Sequence, residues 1–325
     1  MFDKFKNVKE VKVLVIGDLI LDKYIYGKST RISPEAPVPI LLAEGESHVL
    51  GGAANVASNI IKLGAEAILI GCVGQDSNGK ILVDLIHQEI GSTTGVIKTK
   101  SITTTKTRII SQNHQMLRID EEDVEEINND AEMSLYDIIY NTILQNKVSG
   151  IILQDYNKGL LTESLIDKII ILSKENQIPF FVDPKHKNFW NYKGAALYKP
   201  NLSEILSANN VDDKKHLEEI LINSADKLDC KILMCTLAEN GIAYVENSKI
   251  GRTPTQKIDI LDVSGAGDSA LSVMVLAYLL GYDSKTISIL ANLCGKVVCM
   301  KSGVSTVTIH ELKDAFRSVH QDNVK

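Results

Sequence analysis

Two periodicities alternate along the chain. Residues 11–16 form a short β-branched run that breaks at Gly17-Asp18, and they predict a buried strand. Residues 67–73, 151–153, 180–182, 231–235 and 241–245 repeat that character; the run at 151–153 ends at Asp155 and the one at 180–182 ends at Asp183. Between them the apolar positions recur every three or four residues, the signature of a helix with one buried face. Val56, Ile60, Ile61 and Leu63 make one such stripe, stopped by Gly64, and Leu217, Ile220, Leu221, Ala225 and Leu228 make another. Residues 79–90, 131–146, 161–175, 284–300 and 310–319 also read as helices, as does the apolar stretch from Ala270 to the stop at Gly281. Strands alternating with helices of this length predict an α/β fold: a three-layer α/β/α sandwich around a mostly parallel sheet.

Two segments depart from that rhythm. Residues 22–48 have mixed polarity with Tyr24, Tyr26 and several prolines, and residues 95–120 are rich in Thr and Ile with patches of period two. Both read as strands outside the main sheet, so a small β-sheet lid is expected from about residues 19–48 and 96–120. No linker, repeat or low-complexity tract divides the chain, and residues 1–325 are expected to form one domain carrying that lid.

Composition narrows the functional class. Charged residues make up 23% and hydrophobic ones 44%, as in an ordinary globular protein, and the formal net charge of −6 disfavours a general nucleic-acid surface. The five cysteines form no Cys-x-x-Cys pair and read as reduced thiols. The first residues lack an apolar signal core, and no apolar run is long enough for a bilayer. A soluble, cytoplasmic protein without nucleic-acid or membrane partners is expected.

The candidate chemistry gathers at strand ends. Asp18, Asn55, Asp155, Asp183, Asn201 and Asp268 all fall at or just after them, where open α/β sheets bind ligands. Residues 262–268 read Asp-Val-Ser-Gly-Ala-Gly-Asp, between an apolar stretch expected to end a strand at Asp262 and a buried helix. A glycine turn there turns free N–H groups and a helix dipole toward an anion. Asp268 in the first helical turn could then orient a hydroxyl and take its proton during phosphoryl transfer. The plain alternative is a helix entrance whose acid favours the dipole. Gly51-Gly52-Ala53-Ala54-Asn55 opens a second helix and lets backbone approach a ligand, with Asn55 suited to sugar hydroxyls. Asn201-Leu202-Ser203-Glu204 reads on its residues first as a capping box, with Glu204 as a carboxylate holding a water of Mg²⁺ the functional alternative. Arg108, Lys158, Lys185, His186 and Lys187 are candidates for a basic pocket, Lys185 being the best placed. The histidines show no zinc spacing, and there is neither a Walker-type loop nor a Gly-x-Gly-x-x-Gly turn after the first strand.

These residues resemble the ribokinase-like (PfkB) sugar kinases over essentially the whole chain, from about Val11 to about Leu312. The resemblance implies that Asp268 is the catalytic base and that Gly265, Ala266 and Gly267 form an anion hole. It puts Asp18, Gly51, Gly52 and Asn55 at the sugar, and Asn201 and Glu204 near Mg²⁺ and phosphate. The stretch from Thr236 to Gly241 resembles a nucleotide loop in which Ala238 replaces a frequent glycine. By the same resemblance Asn292 lies near adenine, and Asp262, Ser264 and Gly303 surround a monovalent-cation site that would take K⁺. The segments Arg31-Ile-Ser-Pro-Glu-Ala-Pro-Val-Pro39, Asp155-Tyr-Asn-Lys-Gly159, Asp183-Pro-Lys185 and Pro200-Asn-Leu-Ser-Glu204 are similar to those of bacterial heptose 7-phosphate kinases. That similarity implies ATP-dependent phosphorylation of the anomeric hydroxyl of D-glycero-D-manno-heptose 7-phosphate, with Arg108, Lys158 and Lys185 at the 7-phosphate and a homodimer paired through the lid. The absence of His-x-Gly-His leads to the expectation of the kinase alone, without the nucleotidyltransferase that some such kinases carry. Another sugar or sugar-phosphate kinase, or a catalytically silent binding protein of the same fold, remains open on the sequence.

Overall fold

The computed structural model describes residues 1–322 apart from Asn113 and Lys257, with side chains described as far as Ser318. Its centre is β1 (Lys12–Gly17), in which Val13, Leu14, Val15 and Ile16 are all fully buried. A strand can bury every side chain only if both sheet faces are covered, and here they are. Val13 and Val15 point into one core with α1 (Ala53–Lys62), α7 (Ala266–Leu279) and α8 (Ser284–Cys299). Leu14 and Ile16 point into the other, with α3 (Asn129–Gln145), α4 (Glu163–Glu175) and α6 (Leu217–Leu228).

β1 pairs in parallel with β4 (Glu66–Gly74) on one side and β8 (Gly150–Gln154) on the other. The sheet continues through β9 (Phe180–Asp183), the two-residue β10 (Leu197–Tyr198) and β11 (Ile232–Thr236), all parallel. The antiparallel strands β12 (Ile242–Glu246) and β13 (Lys249–Thr253) close one edge, and β5 (Val96–Thr99) closes the other, giving nine strands. A mostly parallel sheet between helical layers is the architecture the periodicities predict. Helices α2 (Ser77–Ile90), α5 (Leu202–Ala208) and α9 (Ile309–Asp322) complete it. Among the described residues no helix is long and apolar enough to cross a membrane.

A second sheet of four strands runs β3-β2-β6-β7, built from β2 (Leu19–Ile32), β3 (Pro39–Gly52), β6 (Thr105–Ser111) and β7 (His114–Glu121). β2 and β6 pair in parallel, whereas the outer pairs are antiparallel. Two sequence expectations change here. The lid's second segment does not start at about residue 96: residues 96–99 extend the large sheet, and the small sheet takes up the chain again at Thr105. No strand ends at Asp262 either. Ile260, Leu261 and Val263 are 56%, 71% and 64% exposed, and the Leu261 and Asp262 N–H groups both turn to the Cys299 carbonyl instead of a strand neighbour. Apolar residues alone do not make a strand where no neighbouring edge is open to pair with them.

Candidate active site

The parallel strands deliver polar residues to one rim. β1 hands over to Asp18, β8 ends in Gln154, β9 ends in Asp183, and β10 is followed by Lys199. From the opposite side the N-terminus of α7 brings Asp268, which is 4% exposed. Gly265 caps that helix at φ 76°, in the left-handed region that glycine enters without strain, and this lets the chain turn against Asn55.

Three side chains donate to the Asp268 carboxylate. Asn55 Nδ2 reaches Oδ2 at 2.9 Å, while Gln154 Nε2 and Tyr156 Oη reach Oδ1 at 3.1 and 2.8 Å. Asn55 is held in turn, because Asn59 Nδ2 donates to its Oδ1 at 3.1 Å. Gln154 Nε2 also donates to Asp183 Oδ2 at 2.9 Å, and Lys199 Nζ pairs with Asp183 Oδ1 at 2.9 Å. Burial raises the Asp268 carboxyl to about 6, aided by the charge of Asp183 and opposed by the hydrogen bonds from Asn55 and Tyr156. A carboxylate whose pKa lies near 6 is a stronger base than a free one yet stays ionised at neutral pH. Lys199 Nζ lies 3.8 Å from where a Cβ would stand on Gly267, so a buried cation borders the glycine turn.

Asp18 is buried in a different way. Its carboxylate accepts the backbone N–H groups of Tyr156, Lys158 and Leu160 at 2.7, 3.1 and 3.4 Å. Burial, then the neighbouring Asp155, raises it to about 6 as well. Its carbonyl accepts from Ala53 N–H at 3.0 Å, fixing the glycine pair to the first strand. Gly51 pairs with Ile20 at the end of the small sheet. Gly52 takes φ 57° with the Asp18 carbonyl packed where a Cβ would stand.

The expected nucleotide residues gather in part. Asn201 and Thr236 form a parallel bridge, and Thr236 N–H donates to the Pro200 carbonyl at 3.0 Å. Asn201 and Glu204 make both halves of a capping box, with bonds of 2.8 Å each way, and Glu204 Oε1 also pairs with Lys185 Nζ. Gly241 ends the turn after Thr236 at φ 82°. In the same turn Ala238 holds φ 50°, the conformation that the missing glycine would adopt freely. Asn292 donates to the Thr253 carbonyl at 3.0 Å and so anchors the loop after β13. Asp262 joins the two segments expected around a cation, since Oδ1 accepts from Ser264 N–H at 2.8 Å and Oδ2 from Gly303 N–H at 3.0 Å.

The three cations expected at a distal phosphate each pair with a different carboxylate. Arg108 pairs with Asp22 inside the small sheet and lies over the Tyr24 ring at 5.3 Å. Lys158 pairs with Glu122 at 2.7 Å, and Lys185 with Glu204. Lys106, two residues before Arg108 on the same face of β6, holds its Nζ 5.6 Å from the Tyr156 ring, and Lys185 Nζ lies 5.3 Å from that ring.

Gln154, Tyr156, Lys199 and Lys106 do not stand out as site residues in the sequence. Gln154 looks like the end of a core strand. Lys199 follows a strand of two residues, too short to show a period. The available signal is position: both stand at strand ends on the rim that already holds Asp155, Asp183 and Asn201.

Known proteins bear on this arrangement. A relative in Helicobacter pylori (strain HPAG1), the bifunctional protein HldE, is 38% identical over 312 residues, covering 95% of this chain and 67% of its own length. The HldE of a Nitratiruptor species is 36% identical, with coverages of 95% and 66%. The chain thus spans about two thirds of the length of these relatives. Among solved structures, Escherichia coli phosphofructokinase-2 in complex with potassium superposes with a TM-score of 0.78 at 18% identity, covering 95% of this chain and 99% of that one. Arabidopsis thaliana ribokinase complexed with ribose and ATP gives 0.71 at 16% identity, with coverages of 94% and 98%. These two show a shared ribokinase-like fold. The model of the pfkB family carbohydrate kinases matches residues 11–311, so the chain belongs to that family and is an ATP-dependent carbohydrate kinase.

Proposed function

We propose that this kinase transfers the γ-phosphoryl group of ATP to the anomeric hydroxyl of D-glycero-D-manno-heptose 7-phosphate, giving heptose 1,7-bisphosphate for nucleotide-activated heptose and surface polysaccharide. The observation that carries the reaction type is the buried Asp268 carboxylate at the α7 N-terminus, with a pKa of about 6 and Lys199 alongside. Asp268 accepts the proton of the sugar hydroxyl as it attacks. The first-turn N–H of Gly267, with that of Gly265, and the Lys199 ammonium face the charge that builds on the transferring phosphoryl. Ala266 N–H contributes less, because it is already bonded to the Val263 carbonyl at 3.2 Å. The sugar identity is supported by the heptose-kinase segments and is in keeping with the HldE relatives.

Mg²⁺ would be brought by the nucleotide. Glu204 has one oxygen in the capping box and the other on Lys185, so it suits a water-mediated hold rather than direct ligation. Bound there, the ion would neutralise charge on the nucleotide phosphates. K⁺ fits beside Asp262, Ser264 and Gly303, in the two segments that the Asp262 carboxylate draws together. A homodimer through the small sheet belongs to the same proposal. Leu117 and Ile119, 53% and 45% exposed, pair with Ile109 and Thr107 on the face turned away from Lys106 and Arg108.

The test is a coupled ADP-release assay with a sugar panel. Heptose 7-phosphate should be used with the highest kcat/KM, ahead of fructose 1-phosphate, ribose and unphosphorylated heptose. Preference for another acceptor moves the substrate; no ADP release with any sugar removes the activity.

A further inference from the structure

Three donors occupy the Asp268 carboxylate, and they differ in freedom. Gln154 is fully buried and also bound to Asp183, and Asn55 is 2% exposed and held by Asn59. Tyr156 is only partly buried, and its hydroxyl has Asp268 Oδ1 as its partner at 2.8 Å. The Tyr156 backbone is pinned by Asp18, so the ring can swing while its anchor stays fixed. Oδ1 already accepts two bonds, from Gln154 and Tyr156, whereas Oδ2 accepts one. A sugar hydroxyl that bonds to Oδ1 therefore needs one of those two donors to give way, and Gln154 is locked.

The ring also has two cationic neighbours from different parts of the chain. Lys106 comes from the small sheet and Lys185 from the loop after β9, at 5.6 and 5.3 Å from the ring centre. Tyr156 therefore joins the lid, the rim and the base in one contact. Burial, and then the charge of Asp268, lift its phenol well above the ordinary range, so it remains a donor throughout the working pH range.

We propose that Tyr156 is a positioning residue, an exchangeable donor that holds the Asp268 carboxylate before sugar binds and yields Oδ1 to the sugar hydroxyl as its ring swings about the fixed backbone. This rests on the reading of Asp268 as the base. The proton balance is unchanged: the sugar hydroxyl loses its proton to Asp268, its oxygen bonds to the γ-phosphorus, and ADP leaves; Tyr156 keeps its own proton.

The test is the pH dependence of kcat/KM in Tyr156→Phe. Hydrogen bonds to the charged form lower a carboxyl pKa, so loss of the hydroxyl must raise that of Asp268. The acid limb is expected to move upward by about half to one pH unit. At pH values well above the limb, kcat should stay within about twofold of wild type, because the lost donor is one that leaves anyway. Tyr156→Leu, also without the hydroxyl, should show the same shift and a higher KM for the sugar. An unmoved limb in both variants, or a kcat loss that persists at all pH values, overturns the inference. Asp268→Asn run in parallel separates the two readings. If it is inactive while the limb of Tyr156→Phe stays put, only the role of Tyr156 fails; if it turns over normally, the base assignment fails first.

Discussion

Asp18 and Asp268 look alike on paper. Both are nearly fully buried, both stand on the same rim, and burial raises both to about 6. Their partners differ. Asp18 accepts backbone N–H groups of a loop that cannot leave without unfolding it. Asp268 accepts only side chains, one of them partly exposed, and faces a glycine turn and a buried lysine. A raised pKa marks both as costly to bury. The kind of donor, fixed or exchangeable, tells which one is free to do chemistry.

The comparison can be broken first at the charges that support Asp268. Lys199 and Asp183 form an ion pair with side chains 4% and 8% exposed. Lys199→Met strands the Asp183 carboxylate in the core, a loss of about 3–5 kcal/mol when one partner of a buried pair is removed. Denaturant unfolding should show it, with kcat falling in whatever folded enzyme remains. A variant as stable as wild type would mean that water reaches Asp183.

Asp18→Ala tests the fixed carboxylate. It leaves the N–H groups of Tyr156, Lys158 and Leu160 without their acceptor, at a cost of about 1–3 kcal/mol. The melting temperature should drop and the loop should become easier to proteolyse, while residual kcat stays well above that of an Asp268 variant. A collapse of kcat with unchanged stability would give Asp18 the chemical role instead.

The smallest effect is read by pH. A base with a pKa of about 6 must be ionised to act, so kcat/KM should fall as pH drops through about 6. Stability moves the other way. Both carboxyls bind protons more tightly folded than unfolded, so their contribution favours folding at low pH. It is lost as pH rises from the ordinary carboxyl range through about 6. Rate profiles and melts collected over about pH 4.5–8 check both signs.

Much of this arrangement can be read in the chain. The fully buried runs of β1, β8 and β9 announce a parallel sheet, and the glycine turns at Gly51-Gly52 and Gly265-Gly267 announce the two helices that meet over it. The site is legible where a motif is contiguous, as at Asp268, or where Asp and Asn end strands. It is illegible where one residue must be weighed against its neighbour. Lys106 and Arg108 share a face of β6, yet Asp22 in the paired strand claims Arg108 and leaves Lys106 over Tyr156. Residues 260–263 mislead because apolar character is mistaken for burial, although the large sheet ends its edge with β13. The long strands β2 and β3 escape a periodicity search because their far ends are largely exposed and do not alternate, being mostly polar along β2 and apolar along β3.

The most direct test of the account is Asp268→Asn, assayed by ADP release with heptose 7-phosphate beside a thermal melt. The amide keeps the shape of the side chain and removes the proton acceptor. A positioned base contributes about 10²–10⁴-fold, so kcat should fall by that factor while the variant still melts cooperatively, the lost acceptor for one buried donor offsetting the removal of a buried charge. A purified variant that retains near-normal kcat would contradict the assignment of Asp268 and with it the distinction from Asp18.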